Sequence, residues 1–189
     1  MSKTAQTIKT LLMLAETAKV KGCCEAEPFL AREIVVDPRV RMKCRLNLCG
    51  QFGRNLMCPP NVWDLAETSS ILARYTFSLL LQITREAAPN EYQTVFDREK
   101  NTMNAIVVSL EHAAFQSGFS LAVGLGCGHC QLCYECADEV CPSVCRRPAQ
   151  ARPSLEAVGI DVEKTCAAAG LPAGFSPGRV TLSGLLLLD

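Results

Sequence analysis

Apolar positions along the chain alternate between two periods, and the change of period marks the elements. Ile8, Leu11, Leu12, Ala15 and Ala18 recur at helical spacing and predict an amphipathic helix over residues 3 to about 20. Phe29 to Val36 is apolar and β-branched and stops at Asp37-Pro38, so it is read as a strand. An irregular stretch with three cysteines follows and ends in Cys58-Pro59-Pro60, where two prolines forbid a helix interior or a central strand. A short helix is expected after Asn61, then a strand over Tyr75 to Thr84. Glu91 to Ser117 lacks Gly and Pro and carries Val95, Met103, Ile106, Val107, Leu110, Ala114 and Phe115, which predicts a long helix. Phe119 to Leu125 reads as a strand that leads into a second cysteine-rich stretch. Asp161 is the expected N-cap and Gly170 the expected C-cap of a helix containing Cys166, with Pro172 preventing its continuation. Val180 to Leu188 supplies a last strand.

No low-complexity segment or fixed-period repeat interrupts this order. Alternating helices and strands predict an α/β fold: a single domain over residues 1–189, with one mixed sheet of about four strands, packed helices and two cysteine-rich loops. Both loops leave strand ends, where such folds place their sites. With 189 residues, folding removes roughly 70% of the unfolded chain's surface from water, so the core does not depend on cross-links.

Charge narrows the partners. Nineteen basic and nineteen acidic residues balance, so the excess that nucleic-acid or anionic-membrane binding rests on is missing. The apolar run Leu11 to Ala15 is stopped by Glu16, too short for a secretory segment or a membrane span, and Leu185 to Leu188 reads as a buried strand end. A reducing cytoplasm is therefore expected, and in that compartment twelve cysteines point to metal ligands before a disulfide scaffold.

The strongest motif is Cys127-Gly128-His129-Cys130-Gln131-Leu132-Cys133-Tyr134-Glu135-Cys136, followed by Cys141-Pro142 and Cys145. One zinc ion needs four tetrahedral ligands, usually two pairs far apart in sequence, and overlapping x2 units crowd it. They suit the separate iron corners of a cube. Cys130, Cys133, Cys136 and Cys141-Pro142 reproduce the ferredoxin run C-x2-C-x2-C-x3-C-P with one extra residue in the last gap. The second constellation is Cys44-x4-Cys49-x8-Cys58, with Gly50 and Gly53 allowing backbone N–H groups close to sulfur. It lacks a fourth local ligand, and three buried small thiols are its alternative reading.

Several stretches together resemble the uncharacterised predicted metal-binding proteins grouped as a domain of unknown function. They are Ile34 to Cys44, Gly53-Arg54-Asn55-Leu56-Met57-Cys58-Pro59-Pro60, Cys145-Arg146-Arg147-Pro148 and Ala151 to Val162. The resemblance spans nearly the whole chain and implies an iron–sulfur cluster, with no established reaction. Carried over, the family pattern falls on Cys44, Cys49 and Cys58, and on Cys130, Cys133, Cys136 and Cys145. The chain departs from it by adding Cys127 and Cys141 and by a longer gap between Cys136 and Cys145. The fourth local ligand is thus left open between Cys141 and Cys145. In two-cluster ferredoxins the cysteine before proline serves the other cluster, so Cys141, or in competition Cys127, would close a second [4Fe–4S] cube with Cys44, Cys49 and Cys58.

Other residues receive structural readings. Cys23, Cys24 and Cys166 are packed thiols, His129 is a hydrogen-bonded loop histidine or an iron ligand, and Trp63 and Tyr75 belong to the core. His112 carries no role, while Arg146, Arg147 and Arg152 either offset cluster charge or are solvated. No nucleotide-binding loop, nucleophile elbow or His-Glu-x-x-His motif is present. The leading expectation is an electron-transfer protein with one or two [4Fe–4S] clusters and a redox partner protein. A cluster-dependent enzyme with an open iron at Cys44, Cys49 and Cys58 is the alternative, and a zinc-stabilised adaptor a third.

Overall fold

A computed structural model describes residues 3–136 and 144–189. Helix α1 (Lys3–Val20) opens the fold at its predicted position and leads into strand β1 (Glu25–Leu30). The predicted strand over Phe29 to Val36 is displaced toward the N-terminus. Ala31–Glu33 form a 3-10 turn, and Val36 keeps only one antiparallel bridge, to Ile160. Pro28 explains where β1 sits: a residue without an N–H tolerates only an edge strand, and β1 is at the sheet's edge.

Asp37-Pro38 does not merely end a strand. Asp37 caps helix α2 (Pro38–Arg45), its carboxylate accepting from the Arg39 N–H at 2.9 Å, and Pro38 supplies the preset φ of the first helical position. Cys44 therefore lies on a helix, and the first cysteine stretch is not one discrete loop. Helix α3 (Leu65–Leu72) begins with a capping box between Asp64 and Glu67. Strand β2 (Phe77–Glu86) and helix α4 (Tyr92–Gln116) follow as expected. Strand β3 keeps only Val123–Leu125 of its predicted span. Helix α5 (Val162–Ala168) is capped by Asp161, and Gly170, at φ +73°, turns the chain out of it while Leu171 N–H donates back to Cys166. Strand β4 (Gly174–Ser176), absent from the sequence reading, precedes β5 (Arg179–Leu188).

The expected α/β fold with helices packed on one sheet is observed, with five strands in place of about four. Their order is β1-β2-β5-β3, with β4 also on β5; every ladder is antiparallel, and Gly126 and Ser154 add one parallel bridge. Leu79, Leu81 and Ile83 of β2 and Val180, Leu182 and Leu186 of β5 pack with α1 and α4. Leu80, Leu185 and Leu187 point oppositely, into a second core with Leu155, Val158, Ile160 and Cys166. Both faces of β2 and β5 are thus covered, which is why these strands are almost continuously apolar. Among the described residues, no helix is long and apolar enough to cross a membrane.

Helix α4 crosses β5 so closely that a Cβ on Gly184 would lie 2.7 Å from Met103 Sδ and 3.0 Å from Val107 Cγ2. Gly184→Ala is expected to overpack this crossing and to lower unfolding free energy by about 1–3 kcal/mol, read as a shift in the urea midpoint. An unchanged midpoint would show that the crossing yields freely.

Candidate functional site

Two asparagine side chains, Asn104 half-buried and Asn55 buried, carry the cysteine segments. Asn104 on α4 binds the backbone of Cys127 through both ends of its carboxamide: Oδ1 accepts from the N–H at 3.1 Å and Nδ2 donates to the carbonyl at 3.4 Å. Gly126 makes room for this contact, since a Cβ there would fall 1.7 Å from Asn104 Oδ1. Asn55, 2% exposed, joins the two halves of the chain. Its Nδ2 donates to the Cys130 carbonyl at 2.8 Å, and its Oδ1 accepts from Met57 N–H at 2.9 Å and from the Cys136 thiol at 3.6 Å. Leu56 N–H donates to Cys136 Sγ at 3.2 Å.

Helix α2 is tied to the segment after Pro153 by Arg41, whose Nη1 donates to Trp63 O at 3.1 Å and to Ala157 O at 2.5 Å. This places the Cys44 thiol 4.0 Å from the Glu156 carbonyl oxygen. Asn47, at φ +54°, reverses the chain after α2 and accepts from Phe52 N–H at 2.9 Å. The result is a cavity of about 450 Å³ between α2, α4 and the segment after β3. Cys44, Cys49 and Cys58 border it, with Phe52, Phe96, Asp97, His129 and Glu156.

On α4, Lys100 is fully buried and its ammonium donates to Asp97 Oδ1 at 2.5 Å, 5.8 Å from the centroid of the Phe96 ring. Hydrogen bonds from Gln93 and then from Lys100 hold the Asp97 carboxyl below its ordinary range. Desolvation, followed by the Lys100 charge, pushes the His129 imidazole down, and its Nε2 lies 3.1 Å from Gln131 Nε2. Glu156 keeps accessible surface on the cavity, yet the dense protein around it desolvates its carboxyl and pushes it up, against smaller opposing hydrogen bonds from its own N–H and Ser154. Desolvation likewise raises the Cys44 thiol and pushes the Cys58 thiol up to about 12.

The second-half thiols border a neighbouring space, with Cys130 and Cys136 near enough to Cys58 to raise its thiol further. Cys130, Cys133, Cys136 and Cys145 border a separate crevice of about 10 Å³ with Met57 and Arg147. Cys127 is buried in the core against α1 and α4, its thiol pushed far up by desolvation, and Cys141 lies outside the described residues. Cys23 and Cys166 are buried, as packed thiols should be, whereas Cys24 is exposed against its packed-thiol reading, its Sγ donating to Gln82 O at 3.3 Å at the sheet's edge. Arg152 is no counter-charge to a cluster: it is paired with Glu111.

The iron–sulfur expectation is overturned here. Among the described residues, no group of three or more His, Cys, Asp or Glu side chains is arranged to hold a metal ion, and all the cysteines are free thiols. The [4Fe–4S] clusters, the zinc alternative, the electron-transfer role and the open-iron enzyme all fall with that geometry.

The sequence reading passed over Asn55, Asn104, Glu156 and the Asp97–Lys100 pair. One of them left a trace: Lys100 stands in the apolar row Phe96, Met103, Val107, Leu110 of α4, where a charge requires a buried partner.

The chain belongs to the family described as predicted metal-binding protein (DUF2284), which matches residues 28–188. No curated protein and no solved structure matches it. The metal in that description does not fit the described residues.

Asn55→Ala leaves the Cys130 carbonyl and the Met57 N–H without their partner and is expected to cost about 1–3 kcal/mol. Hydrogen exchange of the amides at 127–136 should accelerate selectively. Unchanged exchange there would show that the segment is held by other contacts.

Proposed function

We propose that this member of the predicted metal-binding family binds a small uncharged organic molecule in the cavity bordered by Cys44, Cys58, His129 and Glu156, where Glu156 and His129 exchange a proton with it. One observation carries this reading. A single cavity of about 450 Å³ with apolar walls brings together the Glu156 carboxyl, the His129 imidazole and the thiols of Cys44 and Cys58. Desolvation pushes that carboxyl up and that imidazole down, directions that suit a proton donor and acceptor serving one reaction.

The volume is that of a small ligand site, and Phe52, Phe96 and Pro59 give it apolar walls. Polar groups then select the ligand. The Lys100 charge is met by Asp97, while Glu156 and the thiols of Cys44 and Cys58 are held toward neutral, protonated forms. An uncharged ligand with an accepting oxygen, such as a carbonyl compound, matches these donors without leaving a buried charge unpaired. Substrate binding and proton transfer are thereby assigned to residues of the chain itself. The same reading places the protein in a reducing cytoplasm, where thiols persist unpaired.

Screening uncharged carbonyl compounds by ligand-observed NMR should yield binders that broaden the His129 ring resonances. Glu156→Ala, which deletes a donated hydrogen bond, is expected to weaken them about ten-fold. Rising pH ionises Glu156 and removes the donor, so wild-type affinity should fall as pH rises through the raised carboxyl titration. Glu156→Gln keeps an N–H donor and has no such titration, so its affinity should be flat over that range. Identical pH profiles for wild type and Glu156→Gln would remove Glu156 from the site, and binders that leave the His129 resonances untouched would remove the cavity.

A further inference from the structure

The balanced net charge of the chain conceals a local segregation. Between Pro38 and Trp63 the sequence carries five basic residues, Arg39, Arg41, Lys43, Arg45 and Arg54, and no acidic one. Two of the five are engaged within the fold, Arg39 by the Asp37 carboxylate and Arg41 by the Trp63 and Ala157 carbonyls. Lys43, Arg45 and Arg54 are exposed and make no ion pair among the described residues. Asp64 borders the same shallow depression as Met42 and Arg45, but its carboxylate is committed to the Glu67 N–H at 2.8 Å in the cap of α3.

The same stretch turns apolar side chains to solvent: Met42 is 56%, Leu46 63% and Leu48 88% exposed. Met42 and Leu46 are four residues apart at the end of α2, so they share one helix face, and Arg39 and Lys43 stand on it beside them. Cys44, on the opposite side of the helix, borders the cavity, and no residue of α2 is fully buried. The helix thus lies on the surface with an apolar row outward, the reverse of the pattern that core packing produces. Leu48 follows in the turn that the chain makes at Asn47.

Exposed apolar residues rimmed by charge mark a contact surface, and the residue types decide its kind. Contact centres between proteins draw on Trp, Tyr and Arg and are poor in Leu and Lys. Leucines and a methionine standing out between lysine and arginine stems suit instead a layer with an anionic surface and an apolar interior. The long stems let the cations stay at the headgroups while the apolar tips enter below them. From this juxtaposition we infer that Met42, Lys43, Arg45, Leu46 and Leu48 form a docking surface for an anionic phospholipid membrane. The protein lies on such a membrane and does not span it, since among the described residues no helix is long and apolar enough to cross one. Docking does not depend on what the cavity holds, although Cys44 and Cys49 of the same segment border it.

The test floats the full chain through a density gradient with vesicles of phosphatidylcholine alone and with vesicles of mixed phosphatidylcholine and phosphatidylserine. The chain is expected to float with the mixed vesicles at low salt, to stay behind with the neutral ones, and to be released as added salt screens the charges. Lys43→Gln combined with Arg45→Gln is expected to weaken partitioning by roughly five-fold per charge removed. Leu46→Ser combined with Leu48→Ser is expected to weaken it by roughly ten-fold while leaving its salt dependence in place. All four side chains are exposed, so these variants keep the fold. Lys9→Gln combined with Lys21→Gln removes the same charge from exposed positions outside the patch and is expected to float like the wild type. Failure of the wild type to float with the mixed vesicles overturns the inference and leaves the patch to an acidic protein. Undiminished flotation of the patch variants, or an equal loss in the Lys9 and Lys21 control, overturns it as well.

Discussion

Ten residues of β2 face ten of β5 in one unbroken antiparallel ladder, and both faces of this pair are buried. Backbone N–H and C=O groups there have no water to turn to, so the ladder must be complete, and its register fixes everything laid on it. Leu186 and Leu182 must then meet α4, and Leu185 and Leu187 must meet the segment after Pro153. The side chains that border the cavity are delivered from these two layers: Asp97 and Lys100 from α4, and Glu156 from the segment covering the opposite face.

The sheet does not reach the cysteine segments directly. Beyond Leu125 the chain leaves β3, and its attachment passes to side-chain carboxamides, Asn104 under Cys127 and Asn55 under Cys130 and Cys136. Each carboxamide both donates and accepts, so one residue satisfies backbone groups that no ladder serves. That economy holds Cys127 and Cys130 by their backbones, and Cys136 by its sulfur between Asn55 Oδ1 and the Leu56 N–H. It also explains why two thiol-lined spaces of different character lie so close together. The first is open and ringed by titratable groups, and the second is nearly closed and lined by sulfur.

Buried charge is handled in one consistent way. Lys100 is paired with Asp97, Arg152 with Glu111 and Glu99 with Arg85, each across a short distance. Removing one partner from such a pair leaves the other uncompensated, which costs far more than the pair itself contributes. Glu156 differs from these carboxylates because it keeps accessible surface on the cavity, and desolvation by the surrounding protein pushes its carboxyl up.

Much of the fold was legible in the chain before any coordinates. Helical spacing located α1 and α4, Asp161 and Gly170 bounded α5, and the apolar runs located β2 and β5, because these signals act through local backbone geometry and burial on a fixed period. Asp37-Pro38 was ambiguous at that level, since the same dipeptide ends a strand and begins a helix, and only the long-range ion pairing of Asp37 with Lys164 accompanies the second outcome. The cysteine spacings were equally local, and they overreached. Spacing along a chain says that sulfurs are able to converge, but not where they do. Tertiary structure placed Cys44 on a helix, divided the thiols between two spaces and buried Cys127 in the core. It also brought in Asn55, Glu156 and the Asp97–Lys100 pair, whose roles depend on contacts between residues far apart in sequence or on the desolvation that only a folded neighbourhood creates.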